Sequence, residues 1–257
     1  MNMKTSAKVT LIVALSLASL SAFAGPANTV VVAKLGGDFT SIQAAIDSTF
    51  PTAENPVLIK VMPGTYEEIV SLKSNVRLEG SGMDITIIKN TPPPIARQCI
   101  VALIGDNVTV SNLTIAGTPG SQHIGICGSV GTVKEVKITG NYVGIKGLDG
   151  VVDTGVLVLL DNVITGNGYA AEITYESVIA LRNKVYANTV RGLNLGSALV
   201  QNNEARNNVG FDIAVSSGYG PGNVTSNVSF NTTNIVSGKT VPGLYNVKTD
   251  GTALRLP

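Results

Sequence analysis

Asparagines recur along this chain at intervals that match the coils of a solenoid. The first column, at steps of 20 to 25 residues, comprises Asn112, Asn162, Asn183, Asn203 and Asn227, with Lys137 in the remaining rung. A second column, five residues later, comprises Asn167, Asn188 and Asn208. Each unit reads as a short alternating strand, an Asn-bearing turn, a second strand and a Gly-rich bend. Because one unit cannot bury its apolar face alone, the repeat predicts stacked units that share one core.

The repeat therefore predicts an all-β fold, a single-stranded right-handed parallel β-helix formed by residues 25–257. The Asn columns are interpreted as structural, because amides one rung apart can hydrogen-bond as a ladder. Beside the first column, Asp161 and Arg182 are expected to pair across neighbouring rungs. The segment Val57–Val61 is predicted to be the first buried strand.

A short capping helix is predicted at about residues 40–49, before the first coil. Thr40 and Gln43 have the spacing of a capping box, in which a hydroxyl and an amide satisfy free N–H groups. Ile42, Ala45 and Ile46 fall on one face of this helix and are expected to cover the open end of the solenoid.

The first 24 residues have the pattern of an export signal. Lys4 and Lys8 give a basic start, Val9–Leu20 is apolar, and Ala22–Ala24 has the small-x-small pattern of a cleavage site. An apolar run of about 12 residues is too short to cross a bilayer, which needs about 20. We therefore expect a secreted or periplasmic protein with no membrane span after cleavage.

Charge and composition exclude several classes of partner. The net charge is +1 and charged residues make up 14% of the chain, against about 25% in an ordinary domain. This balance predicts no nucleic-acid partner. A single histidine and the absence of a C-x-x-C motif predict no metal site, and no cofactor is expected. The oligomeric state is left open.

Two cysteines, Cys99 and Cys127, are separated by roughly one coil. Neighbouring strands lie about 4.8 Å apart, which suits the Cα separation of a disulfide. The spacing favours a Cys99–Cys127 disulfide, and the alternative is a pair of buried thiols.

Four segments near the N-terminus carry a family resemblance. Gly37–Asp47, Ile59–Glu68, Asn75–Gly82 and Thr86–Ile88 resemble the opening of the pectin methylesterases, which belong to the wider pectin-lyase-like superfamily of β-helix proteins. The resemblance implies the β-helix fold. It also implies a mechanism in which one aspartate attacks the ester while another handles the proton, with glutamines and an arginine in support.

The catalytic positions of that family are only partly retained. By this resemblance Gln122 matches the first glutamine and Asp153 matches the nucleophile, whereas Val143 occupies the position of the other aspartate. No Gly-Arg-Pro-Trp motif occurs, so no arginine has the family's motif around it. The nearest local pair of acids, Glu172 and Glu176, is interpreted as part of a solvated loop.

Two functional hypotheses follow from these residues. The first is a non-catalytic β-helix that binds a polysaccharide or a surface glycan, with aromatic rings as stacking platforms. The candidate stacking residues are Tyr142, Tyr169, Tyr175 and Tyr186. The alternative is a diverged carbohydrate-active enzyme, either pectinesterase-like or a polysaccharide lyase. Without the second aspartate, we expect no pectin methylesterase activity.

Overall fold

A computed structural model describes residues 28–90, 97–118, 120–148 and 155–216, and the strands at 223–225, 228–229, 236–237, 241–242 and 247–248. The proposed signal at residues 1–24 lies outside the described residues. All strand pairs between the named strands are parallel, and each strand pairs with one from the next coil. The predicted parallel β-helix is therefore confirmed.

The coils build three parallel sheets, which form the three sides of the solenoid. Sheet 1 consists of β1 (Asn28–Val32), β2 (Val57–Val61), β5 (Val76–Glu79), β8 (Thr109–Ala116), β10 (Gly131–Thr139), β12 (Val156–Leu160), β14 (Tyr169–Leu181), β16 (Arg191–Gln201), β19 (Asn223–Thr225) and β22 (Val241–Pro242). The prediction of Val57–Val61 as a strand is confirmed, although β1 precedes it in the sheet.

The other two sheets share four long strands with sheet 1, because these strands turn the corner between two sides. Sheet 2 consists of β3 (Gly64–Glu67), β6 (Thr86–Lys89), the second halves of β8 and β10, β13 (Val163–Thr165), β15 (Lys184–Tyr186), β17 (Glu204–Arg206), β20 (Val228–Ser229) and β23 (Val247–Lys248). Sheet 3 consists of β4 (Val70–Leu72), β7 (Cys99–Leu103), β9 (Ile124–Cys127), β11 (Val143–Lys146), the first halves of β14 and β16, β18 (Ile213–Ser216) and β21 (Val236–Ser237). Alternate side chains of these strands point inward and form one continuous apolar core.

Buried asparagines hold successive coils together. The side-chain oxygen of Asn183 accepts hydrogen bonds from the backbone N–H and the side-chain amide of Asn162, at 3.0 and 2.9 Å. The side-chain amide of Asn183 also donates to the carbonyl of Leu159. Asn203 accepts from Asn183 in the same way. The structural interpretation of the Asn columns is therefore confirmed for these three residues.

The second ladder starts one coil earlier than the sequence predicts. Asn141 donates to Asn167, and the chain of amides continues through Asn188 and Asn208. The final acceptor is Asp212, which is fully buried and takes a 2.7 Å hydrogen bond from the amide of Asn208.

Two members of the first predicted column are misplaced by one residue. Lys137 pairs with Val163, and it is the backbone N–H of Val136 that donates to Asn162. Asn112 precedes the residue that aligns with Val136, so it too lies outside the ladder. Asn227 lies outside the described residues. The prediction was wrong here because Asn112 sits at the left-handed turn position, with φ 55°, where Asn is also favoured.

The residue before each ladder asparagine has left-handed backbone dihedrals. Asp161 and Arg182 have φ values of 55° and 54°, and Ala187 has a φ of 55°. The two charged side chains form the predicted cross-rung pair, with both bonds of the Arg182 guanidinium to the Asp161 carboxylate at 2.8 Å. This hydrogen bonding raises the pKa of Arg182.

The capping helix, α1, spans Ile42–Asp47, and its buried face is the predicted Ile42, Ala45 and Ile46. The predicted capping box is wrong, because Ser41 and not Thr40 is the N-cap. The carboxylate of Glu68 accepts from the N–H groups of Ile42 and Gln43, both at 2.9 Å. A carboxylate from the first coil thus replaces the local capping box.

The outer edge of the first strand is closed by the turn that follows it. The carboxylate of Asp38 accepts the N–H of Val31 at 2.8 Å, and the carbonyl of Val31 accepts the N–H of Asp38 at 2.8 Å. The N–H of Ala33 donates to the carbonyl of Phe39. These bonds occupy backbone groups that would otherwise be available on a sheet edge.

The Asn183→Ala variant tests the ladder. We expect its free energy of unfolding to fall by about 1–3 kcal/mol, because buried donors of Asn162 and the carbonyl of Leu159 lose their partner. Urea unfolding followed by circular dichroism measures the change. Lys184→Ala, at the adjacent exposed position, is the control and should change stability by less than about 0.5 kcal/mol. If the two variants have equal stability, the hydrogen bonds of Asn183 do not stabilise the folded protein.

Candidate functional site

A surface groove of about 200 Å³ lies on sheet 3. Its lining residues come from the loop before β7 and from three adjacent strands of the sheet with the turns that lead into them. They are Arg97, Ile124, Tyr142, Val143, Lys146, Tyr169 and Glu172. The strand register brings them together, because Val143 lies beside Ile124 on one side and beside Tyr169 on the other.

Two tyrosines form an aromatic wall of the groove. The ring centroids of Tyr142 and Tyr169 lie 5.4 Å apart with an interplanar angle of 71°. This edge-to-face geometry is favourable for aromatic pairs. A side-chain hydrogen bond with Tyr142, followed by burial, raises the pKa of Tyr169. Tyr142 keeps 41% of its surface exposed, so one ring remains accessible.

The charged side chains of the groove are mostly cationic. In the part of the chain that the structure describes, Arg97 and Lys146 line it with a single carboxylate, that of Glu172. Glu172 lies beside Lys146 in the register and pairs with Arg191 of the next coil, with 3.6 Å between Nη1 and Oε1. The side-chain amide of Asn194 contacts the same oxygen at 3.5 Å. Among the described residues, the three cations Arg97, Lys146 and Arg191 therefore outnumber the one carboxylate at and beside the groove.

The predicted disulfide packs against the groove. Cys99 and Cys127 are bonded, with their Cα atoms 5.8 Å apart on adjacent strands. With Ile124, Val143 and Tyr169 they form a small apolar cluster that is separate from the main core. The disulfide prediction is confirmed, and the bond ties β7 to β9 next to the groove residues Ile124 and Val143.

The position expected to carry an aspartate has no acidic neighbour in its column. The residues that align with Val143 through the adjacent strands are Ile124, Tyr169 and, one coil further, Arg191. Within this column of sheet 3, the arrangement provides no pair of carboxylates for attack and proton transfer.

The two residues carried over from the family stand apart from this groove. Gln122 is exposed and does not line it, and its carbonyl accepts the N–H of Arg97 at 2.9 Å. Asp153 lies outside the described residues. The assignment of catalytic roles to Gln122 and Asp153 stays a prediction.

The structure separates the four candidate stacking tyrosines. Tyr142 and Tyr169 meet in the groove, whereas Tyr175 lies in an irregular stretch of β14 and is 38% exposed. Tyr186 lies on sheet 2, where the guanidinium of Arg206 is 5.2 Å from its ring centroid. Two of the four therefore belong to one surface.

The prediction that Glu172 and Glu176 lie in a solvated loop is wrong. Both lie in β14, where Glu172 lines the groove and Glu176 is 1% exposed. The Glu176 carboxylate accepts from the hydroxyl of Ser129 and the N–H of Tyr175. The error arose because β14 turns a corner, which disrupts the alternation that identifies a strand. Among the described residues, no group of three or more His, Cys, Asp or Glu side chains could hold a metal ion.

Sequence reasoning missed the cations of the groove. Arg97 and Lys146 carry no motif, and each comes to the groove through the pairing of coils. The available signal was the column of Cys127, Lys146 and Glu172, which becomes visible only when the register is known.

Comparisons with known proteins agree with this fold. Residues 28–128, less than half of the 257 residues, match the pectinesterase family model. A search of curated proteins found no match. The resemblance of the N-terminal part to pectin methylesterases is therefore confirmed.

Solved pectin methylesterases have the same fold along most of the chain. The enzyme from carrot has a TM-score of 0.61 at 13% identity, over 89% of this chain and 85% of that chain. PemA from Erwinia chrysanthemi has a TM-score of 0.54 at 12% identity, over 89% and 85%. A pectin methylesterase in complex with hexasaccharide VII gives a TM-score of 0.54 at 12% identity, over 89% and 85%. The chain thus shares the parallel β-helix fold of these enzymes.

The buried side chain of His123, next to the groove, makes the stability of the folded protein depend on pH. Its ring is 1% exposed and contacts the side-chain amide of Asn90 at 3.2 Å, and its carbonyl accepts the N–H groups of Tyr142 and Val143. Burial lowers the pKa of His123 below its usual 6.5. As the pH falls below about 6.5, the unfolded chain takes up a proton that the folded chain excludes. Folded-state stability is therefore lost toward acidic pH.

We predict that the unfolding free energy of the wild type falls more steeply below pH 6.5 than that of His123→Gln. The difference can reach about 1.4 kcal/mol per pH unit for one proton. Denaturant titrations between about pH 5 and about pH 8, a range that brackets the ordinary pKa of histidine, measure both curves. Because the chain has one histidine, parallel curves would refute the role of His123.

Proposed function

We propose that the protein binds a carboxylate-bearing polysaccharide in the groove of sheet 3 and does not hydrolyse its esters. The observation that carries the proposal is the combination of a tyrosine pair, one ring of which is accessible, with Arg97 and Lys146 in one groove. Val143 also lines this groove, and the family resemblance implies a catalytic acid at its position. Aromatic rings suit the apolar faces of sugar rings, and the two cations suit their carboxylates.

The size of the groove supports a polymeric ligand. Sites that enclose a small molecule usually have volumes of about 300–1,000 Å³, and this groove has about 200 Å³. It can hold only part of an extended ligand, and the rest would lie on the exposed surface of the sheet. The proposal includes export of the protein by the signal at residues 1–24, to a compartment where such polymers and a disulfide occur. Among the described residues no helix is long and apolar enough to cross a membrane.

A diverged carbohydrate-active enzyme is the second candidate, and the pectinesterase match over residues 28–128 favours it. Ester hydrolysis by the family's mechanism requires two carboxylates, and among the described residues Glu172 is the one acid that lines the groove. Asp153 is the remaining candidate for a second. The enzyme hypothesis therefore depends on Asp153.

Binding of de-esterified pectin by isothermal titration calorimetry tests the first proposal. We expect Tyr142→Ala to weaken binding by about tenfold, which corresponds to about 1.4 kcal/mol, because it removes the exposed ring of the pair. Tyr186→Ala is the matched control, because its ring lies on sheet 2 beside Arg206, and its affinity should equal that of the wild type. Equal loss in both variants would argue against this groove.

The same preparation separates binding from catalysis. Purified mature protein should release no methanol from esterified pectin above a buffer control. Methanol release that disappears in Asp153→Ala would refute the non-catalytic proposal and establish the enzyme.

A further inference from the structure

Arg191 extends the aromatic wall beyond the groove. It follows Tyr169 in the register of sheet 3, one coil toward the C-terminus. Its guanidinium carbon lies 5.6 Å from the ring centroid of Tyr169 and 5.6 Å from that of Phe211. A stripe of Tyr142, Tyr169, Arg191 and Phe211 therefore crosses the strands, with the guanidinium between two rings.

The Arg191 guanidinium is held between two rings, and its ion pair with Glu172 leaves it able to bind a further carboxylate. Its ion pair in the described part of the chain is a single long contact, 3.6 Å, with Glu172. A guanidinium has five N–H donors in a planar fork that matches a carboxylate in two parallel hydrogen bonds. The Arg191 side chain is 44% exposed, so an anion can approach it from solvent. The flanking rings restrict its motion and reduce the entropy cost of binding.

We infer that Arg191 is a second anion-binding position, so that a polysaccharide lies along the solenoid axis with one carboxylate in the groove and another on Arg191. This inference rests on the proposed function. Neighbouring strands are about 4.8 Å apart, and the stripe from the strand of Val143 to that of Arg191 covers three strands. A ligand running along the strands would leave Arg191 without contact.

Glu172 has a defined part in this arrangement. In the free protein the Glu172 carboxylate forms an ion pair with Arg191, and a ligand carboxylate would have to displace it. Two negative groups at one guanidinium repel each other, so Glu172 weakens binding of an acidic ligand. Removing its charge should raise affinity.

The test compares oligogalacturonates of two lengths, a dimer and a hexamer, by isothermal titration calorimetry. We expect Arg191→Gln to weaken hexamer binding by about tenfold and to leave dimer binding unchanged, because the dimer fills the groove alone. The matched control is Arg206→Gln, since Arg206 also lies over a tyrosine ring and pairs with a glutamate at 3.3 Å, but on sheet 2. It should bind both oligomers like the wild type.

Glu172→Gln provides an independent measurement and should bind the hexamer more tightly than the wild type, by about threefold to tenfold. If Arg191→Gln binds both oligomers like the wild type, or weakens both equally, the second position is refuted while the groove proposal stands. If the folded wild type binds neither oligomer, both proposals fail. Thermal unfolding of each variant establishes that it is folded before titration.

Discussion

The hydrogen bonds between asparagines of successive coils fix the geometry on which the rest of the structure depends. Five ladder oxygens accept both the backbone N–H and the side-chain amide of the asparagine in the preceding coil, namely those of Asn167, Asn183, Asn188, Asn203 and Asn208. A shift of one residue would bury all of these amides without partners, at a cost of about 1–3 kcal/mol each. The ladders therefore hold the coil register more firmly than apolar packing alone, which tolerates many side chains of similar volume.

The register in turn assembles the groove. None of its charged residues is adjacent in sequence to another, and Arg97, Lys146 and Glu172 come from three different coils. The disulfide ties the coil that carries Arg97 to the next coil, which supplies Ile124 to the groove. Because the groove residues come from different coils, the accuracy of their relative positions depends on how accurately the coils stack.

The sequence predicted the coil architecture well because alternating strands and Asn-bearing turns are local patterns. The disulfide and the Asp161–Arg182 pair were predictable for the same reason, since both follow from one coil length. Prediction failed where coils change length or turn a corner. Asn112 and Lys137 were misaligned by one residue, and Glu172 and Glu176 were not recognised as strand residues. The helix N-cap is Ser41, and distant Glu68 accepts two further N–H groups at the helix start. The groove could not be predicted, because its lining requires the register of four successive coils.

The closed edge of the first strand has a consequence for assembly. A parallel solenoid can in principle grow without limit, since each coil offers its successor the same row of backbone groups that it used itself. At β1 the carboxylate of Asp38 and the carbonyl of Phe39 occupy groups on that row. A neighbouring molecule that docked a strand there would have to displace them and bury a negative charge. The turn thus works as a stop against fibrous polymerisation, a hazard that a fold with unsatisfied ends carries at high local concentration.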